Sequence, residues 1–399
     1  QDKRKGGRPP TGRVRKLSML SGSCTDGSVK IKKGTIGVRL ILSGLSLTSA
    51  DTAPITCNKS SEVVIVAADG TENVLTDAAA NNDESNSGNE NAENAVIKCK
   101  DGSAVTLCGA GTLTLNAYGK NGIKSGATTA EEGEASLTIR ELTLNINASV
   151  NDAINAEQYL AVESGTLNLA TADVALHCEL IMDIGAEGTD GPTIAIAEAC
   201  EGIEAAALSI RSGDISIVCT DDCLNAANFD LANYDFAINI SGGTIVAYTT
   251  AGDGFDSNGS LTISGGNVTV WSGGNADNQP LDADGTIAIT GGSAGMGMNL
   301  STTQAYVTFG SAGISGTGNM GGQPGSFGGM QPPQNGGQPG SFGGMQPPQN
   351  GGQPKSDSQV SGNFQPSDDF RPGDMASNNI SAATATAQAG SDNSSGNAI

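Results

Sequence analysis

Aromatic side chains are scarce in this chain: one Trp, five Tyr and eight Phe in 399 residues. A core must therefore be built from Ile, Leu, Val and Ala, which suits a narrow interior. Histidine occurs once, at His177, in a slot that reads as an ordinary surface position. No Ser-His-Asp arrangement, His-Glu-x-x-His, phosphate loop or Gly-x-Gly-x-x-Gly pattern accompanies it. No apolar run reaches the 18 or so residues of a membrane-spanning helix, and no segment carries a 3.6-residue apolar period. Positive charge is also missing where it would matter for an anionic partner. Not one Lys or Arg lies between 212 and 354, and residues 34–315 hold 8 Lys/Arg against 35 Asp/Glu. Such a field repels nucleic acid and anionic membrane and suits cations. Ten of the 20 basic residues crowd into 1–33, and a leader over 1–17 reads as a disordered basic segment.

What is abundant is strand and turn chemistry. Short alternating runs such as Leu113-Thr-Leu115, Leu137-Thr-Ile139 and Val268-Thr-Val270 are separated by Gly, Ser, Asn and Asp. Across them runs a phrase written seven times, with apolar anchors at Ile123, Ile154, Leu176, Ile203, Leu224, Phe255 and Leu281, spaced 21 to 31 residues apart. A period of that length marks a solenoid whose coils stack on one another. Each coil reads as three short strands. Gly165, Gly213, Gly243 and Gly266 stand at a corner, where positive φ costs glycine nothing. The expected fold is all-β, a right-handed parallel β-helix over 18–310, with the hand taken from the general preference of parallel crossovers. A Gly/Pro/Gln-rich linker (311–354) follows, with a 15-residue sequence in identical copies at 321–335 and 336–350. A Ser/Ala/Asn-rich disordered tail (355–399) ends the chain.

Stacking turns the phrase into columns. The residue two after each anchor faces inward and is small: Cys57, Cys99, Ser125, Ala156, Cys178, Ala205, Ala226, Ser257, Ala283. Cys57 with Cys99, and Cys219 with Cys223, are placed to pair, though the count alone does not settle their redox state. The acids opening the phrase, Asp152, Asp173, Glu201, Asp222 and Asp253, are expected in one column. The outward slot after the anchor adds Asn155, Glu204, Asn225, Asp256 and Asp282. Carboxylates about 4.8 Å apart repel by roughly 3–4 kcal/mol each at an effective dielectric of about 20. Either a hard cation neutralises them or they serve as turn caps. The candidate Ca²⁺ ligands are Asp152, Asp173, Glu201, Glu204, Asp221, Asp222, Asn225, Asp253 and Asp256. Tyr248 and Trp271, each five after a corner glycine, are expected as outward neighbours on adjacent coils, a surface on which a sugar ring could stack.

The segments Asp69-Gly-Thr-Glu-Asn-Val-Leu-Thr-Asp77, Asn94-Ala-Val-Ile97 and Gly252-Asp-Gly-Phe-Asp-Ser-Asn-Gly259 resemble the secreted bacterial carbohydrate-binding domain family over about 20–310. The resemblance implies a pectate-lyase-like β-helix that binds calcium and polygalacturonate at the cell surface. The chain departs from the family's Asp-Asp-Gly-Ile form at Ala153, Val174, Cys200 and Cys223, so the number of calcium sites is open. The expected function is non-catalytic, calcium-dependent binding of an acidic, pectin-like polysaccharide by a secreted or surface protein. The chain shows no signal peptide and opens at Gln1, as a processed or truncated precursor would. The alternative is a surface adhesin or filament subunit that self-associates through its solenoid ends or tail and holds architectural calcium. A lyase has the least support, since only Lys124, Arg140 and Arg211 lie in the central coils to act as base.

Overall fold

A computed structural model describes residues 16–127, 136–273, 278–300, 303–309 and 314–317. The leader up to 15, the twin copies at 321–350 and the tail lie outside the described residues. Among those described there is no helix, and so none long and apolar enough to cross a membrane. Strands run from Lys16–Cys24 to Ile314–Thr317 and form a parallel β-solenoid.

The anchors stack in unbroken register. Val29 lies beside Ile55, Ile55 beside Ile97, and the line continues through Ile123, Ile154, Leu176, Ile203, Leu224 and Phe255 to Leu281. Two further columns complete the interior. One passes through Leu107, Ile139, Val162, Ile184 and Ile210. The other passes through Leu115, Ile146, Leu169, Ile196 and Ile217. Burial alternates as the sequence does: Thr112–Ala117 and Glu62–Ala67 bury every second side chain. The outward residues between them are polar and bond from coil to coil. Asn145 Nδ2 donates to Thr114 at 3.2 Å, and Asn168 Nδ2 donates to Asn145 at 2.8 Å. Corner glycines stack too. Gly243 and Gly266 both have positive φ, and a Cβ on Gly266 would meet the Gly243 carbonyl oxygen at 2.6 Å.

Cys57, Cys99 and Cys178 fill the small inward column and are buried. Cys57 lies in register with Cys99, whose thiol, together with burial, pushes the Cys57 thiol up. Cys219 and Cys223 Sγ are 3.2 Å apart. All eight cysteines are thiols.

The acidic insertion at 79–94 is tied down by the motif before it. Buried Asp77 accepts from the Tyr118 and Gly119 amides at 2.7 and 3.0 Å. Fully buried Asn81 donates to Asp77 at 2.8 Å and to the Ala95 carbonyl at 3.0 Å, while its own oxygen takes the Glu93 amide at 2.7 Å. Asn81→Ala would leave these buried groups unpaired. We expect it to lower the unfolding free energy by about 2–4 kcal/mol, read by denaturant titration.

The stacking changes at the C-terminal end. Thr303–Phe309 pairs antiparallel with Ser293–Leu300, and Ile314–Thr317 pairs antiparallel with Thr286–Ile289. Two of the last coil's sheet edges are thereby occupied by the chain's own backbone.

Candidate functional site

The acidic column forms because each phrase returns the chain to the same place, one coil on. Part of its job is capping. Asp152 Oδ1 accepts the Val174 amide at 3.2 Å, Asp222 Oδ1 accepts the Asp253 amide at 2.7 Å, and Asp253 accepts the Gln279 amide. A carboxylate thus supplies the acceptor for the next coil's turn. The phrase at 173 carries one extra residue. Val174 takes the backbone place beside Asp152, its carbonyl accepting the Ala153 amide, and the Ala175 carbonyl accepts the Ile154 amide. Asp173 is therefore displaced from the column, a correction to the even spacing expected of it. Asp152 still acts on its charge, and burial first and that neighbour second hold its carboxyl up.

At the C-terminal end the acids converge. A carboxylate oxygen from each of Asp253, Asp256 and Asp282 lies within 4.8 Å of the other two. One coil earlier, Asn225 stands in register with Asp256. Its Nδ2 donates to Glu201 at 3.1 Å, leaving its buried Oδ1 without a partner. Gln279, one coil beyond Asp253, likewise buries an unpaired Oε1. Burial, more than mutual repulsion, pushes Asp222 up to about 8 and Asp256 up to about 6, and raises Asp253 and Glu201 as well. The three carboxylates make an all-oxygen donor set. It fits a hard cation such as Ca²⁺ and is unsuited to soft metals. Asp221 is exposed on the turn beside this group.

Farther back, the column gathers around His177, which is not the incidental surface residue its solitude suggested. It occupies the outward slot between Asn155 and Glu204. Its Nδ1 lies 3.4 Å from Asp152 Oδ2, and its Nε2 lies 3.7 Å from Glu179 and 3.8 Å from Glu204. Burial works against its charge, but the hydrogen bond to Asp152 and the charges of Glu204 and Glu179 prevail and raise it to about 9. Glu204 is itself pushed up to about 7, by burial first. Asp152 and Glu204 therefore serve an internal ion pair and stand apart from the Asp253 group. The outward column changes sign along its length: Lys98 and Lys124 precede Asn155, and Asp256 comes after Asn225.

Tyr248 and Trp271 are register partners on adjacent strands, as the corner spacing implied. They do not form an open platform. Trp271 is only 9 % exposed and Tyr248 is half-buried. The strand beyond sets Gly297 opposite Trp271.

A family model for carbohydrate-binding domain-containing proteins matches residues 17–206 and 130–250. A carbohydrate-binding domain-containing protein of Acetivibrio thermocellus is 37 % identical over 105 residues. That match takes in 26 % of this chain and 35 % of the relative, so the chain spans about a third of that protein's length. No solved structure matches. With the family model covering the greater part of the solenoid, this chain belongs to the carbohydrate-binding domain-containing protein family.

Proposed function

We propose that this protein binds an acidic, pectin-like polysaccharide without cleaving it, at the cell surface or after secretion, and that calcium mediates the contact. One observation carries the reading: a carboxylate oxygen from each of Asp253, Asp256 and Asp282 lies within 4.8 Å of the other two, and Asn225, the register partner of Asp256, buries an unpaired amide oxygen. An acidic protein face cannot approach an acidic polymer unaided. Bound there, calcium supplies positive charge and open coordination positions for uronate oxygens and water. Right-handed winding of the coils belongs to the same reading.

Two features weigh against the rivals. A lyase needs a free base, and of the three central candidates Arg211 is held by Asp183 at 2.8 Å and Lys124 by Glu157 at 3.2 Å. Head-to-tail filament growth needs open sheet edges, and the antiparallel strands Thr303–Phe309 and Ile314–Thr317 occupy two of them.

The test is retention of the full chain on insoluble polygalacturonate, with calcium and with chelator. We expect binding with calcium, loss with chelator, and loss of at least tenfold in affinity for Asp256→Asn combined with Asp282→Asn, about 1.4 kcal/mol or more. Melting curves run in parallel should show a calcium-induced rise in the wild type and little in the double variant. Retention that ignores chelator would remove calcium from the reading. A melting rise without retention would leave the metal architectural and favour the adhesin.

A further inference from the structure

The coil of Leu224–Ala226 departs from the coils on either side of it at one corner. The step from the anchor strand to the next strand takes two residues after Ile154–Ala156 and two after Phe255–Ser257. After Leu224–Ala226 it takes the ten residues 227–236. This insertion is built, not loose. Asn228 Nδ2 donates to the Glu179 carbonyl at 2.8 Å and to its carboxylate at 2.9 Å, two coils back, and Asn228 Oδ1 takes the Asp230 amide at 2.9 Å. At the other end Phe236 packs against the core, with the Tyr234 ring 5.5 Å away and tilted by 59°. Between these fixings Asn233 is held at φ 61°, a conformation a non-glycine residue adopts at some cost.

Beneath the insertion lies an open cleft of about 340 Å³. Its floor is Gln158 and Tyr159 from one coil and Leu180 and Ile181 from the next, with Tyr159 in register with Ile181. Its overhang is Asn233, Tyr234 and Asp235. The floor is braced: the Tyr159 hydroxyl donates to Asp183 at 2.6 Å, and Asp183 holds Arg211 at 2.8 Å. Flat tyrosine and aliphatic surface matches the C–H face of a pyranose, while carboxylate and carboxamide groups at the rim match its equatorial hydroxyls. Charge selects among sugars. Asp235 stands at the rim, Glu179 anchors the insertion, and the cation below is already engaged by Asp183, so the cleft disfavours a uronate.

We propose that the cleft between Tyr159 and Tyr234 is a subsite for a neutral pyranose unit of a glycan, bound directly and without a metal. The inference rests on the carbohydrate-binding reading but not on its calcium. In a branched acidic polysaccharide, the neutral units would occupy this cleft while the acidic ones meet the Asp253 group.

The experiment is calorimetric titration of the full chain, in chelator, with cellohexaose, xylohexaose, mannohexaose and a galactan hexasaccharide. At least one should bind. Tyr234→Ala should weaken that binding about tenfold or more, as loss of one stacking anchor does, and Asp235→Ala should weaken it through the lost hydroxyl contact. Both variants lie on the insertion and should keep the wild-type melting point. Wild-type affinity in Tyr234→Ala would overturn the subsite. So would absence of neutral-sugar binding by a protein that still binds polygalacturonate with calcium, and that result would leave the proposed function standing. Failure with neutral and acidic glycans alike would overturn both.

Discussion

Metal-free protein is expected to lose stability as the pH rises from 5 to 9. Asp222, Glu204 and Asp256 are pushed up to about 8, 7 and 6 in the folded state, chiefly by burial, from ordinary values of 3.8, 4.5 and 3.8. Between the ordinary and the raised values the folded chain holds protons that the unfolded chain has released. Stability therefore falls as pH rises through that window, and the carboxyl contribution levels off above about 8. His177 acts in the same direction. Its raised value of about 9 means that its ion pairing stabilises fully below 6.5 and is lost as pH climbs through 9. At about 1.4 kcal/mol per pKa unit, and discounting for solvent and for coupling among the acids, the combined fall is on the order of 3–5 kcal/mol. Asp222→Asn separates the cause. The amide oxygen can still accept from the Asp253 amide, but the charge is gone. This variant should match the wild type near pH 5 and exceed it by about 1–2 kcal/mol at pH 8, measured by denaturant titration in chelator. If calcium binds as proposed, it should stabilise the wild type more at pH 8 than at pH 5, because cation and proton would compete for the same oxygens. A flat wild-type profile from pH 5 to 9 would show that the column is not a store of protons.

Phe255→Ala should be the most damaging single truncation. Phe255 heads the largest fully buried side chains and stands in the anchor column between Leu224 and Leu281. Removing its ring leaves a cavity that stacked neighbours cannot collapse around, at about 3–5 kcal/mol. A solenoid's stability is roughly a sum of coil and interface terms, so the damage should stay local. Hydrogen exchange should show lost protection in 224–296 while the amides of Val38–Thr48 and Thr143–Ala148 keep theirs. The calcium-induced melting rise should shrink as well, since Asp256 is the next residue and shares the strand Phe255–Ser257. Uniform loss of protection would mean that the coils unfold as one unit.

The coil architecture was legible because its signal is repeated. Seven anchors at irregular spacing still share one local phrase, and the corner glycines announce the turn before the third strand. A one-residue offset is not announced. The extra position at Val174 moves Asp173 out of line, and only the backbone pairing reveals it. Alternation places a side chain inside or outside its own sheet, but it says nothing about what lies over it, which is why Trp271 is outward by pattern and buried in fact. His177 misled for a related reason. Two of its acids sit in neighbouring coils, and a residue that is solitary in the chain is crowded in space. The cleft under 227–236 has no sequence signature, because it exists only once the insertion folds back to Glu179.

The coils differ in length by up to ten residues, yet their anchors stay in register. Axial position is therefore independent of residue count. The chain behaves as a ruler graduated in steps of about 4.8 Å. Four graduations separate Ile154, whose coil holds Tyr159, from Phe255, whose coil holds Asp256. That fixes an offset of about 19 Å along the axis. Lengthening a corner leaves the offset unchanged, and inserting one complete coil increments it by a single graduation. Evolution can thus alter what each station recognises without altering the interval at which a polymer is read.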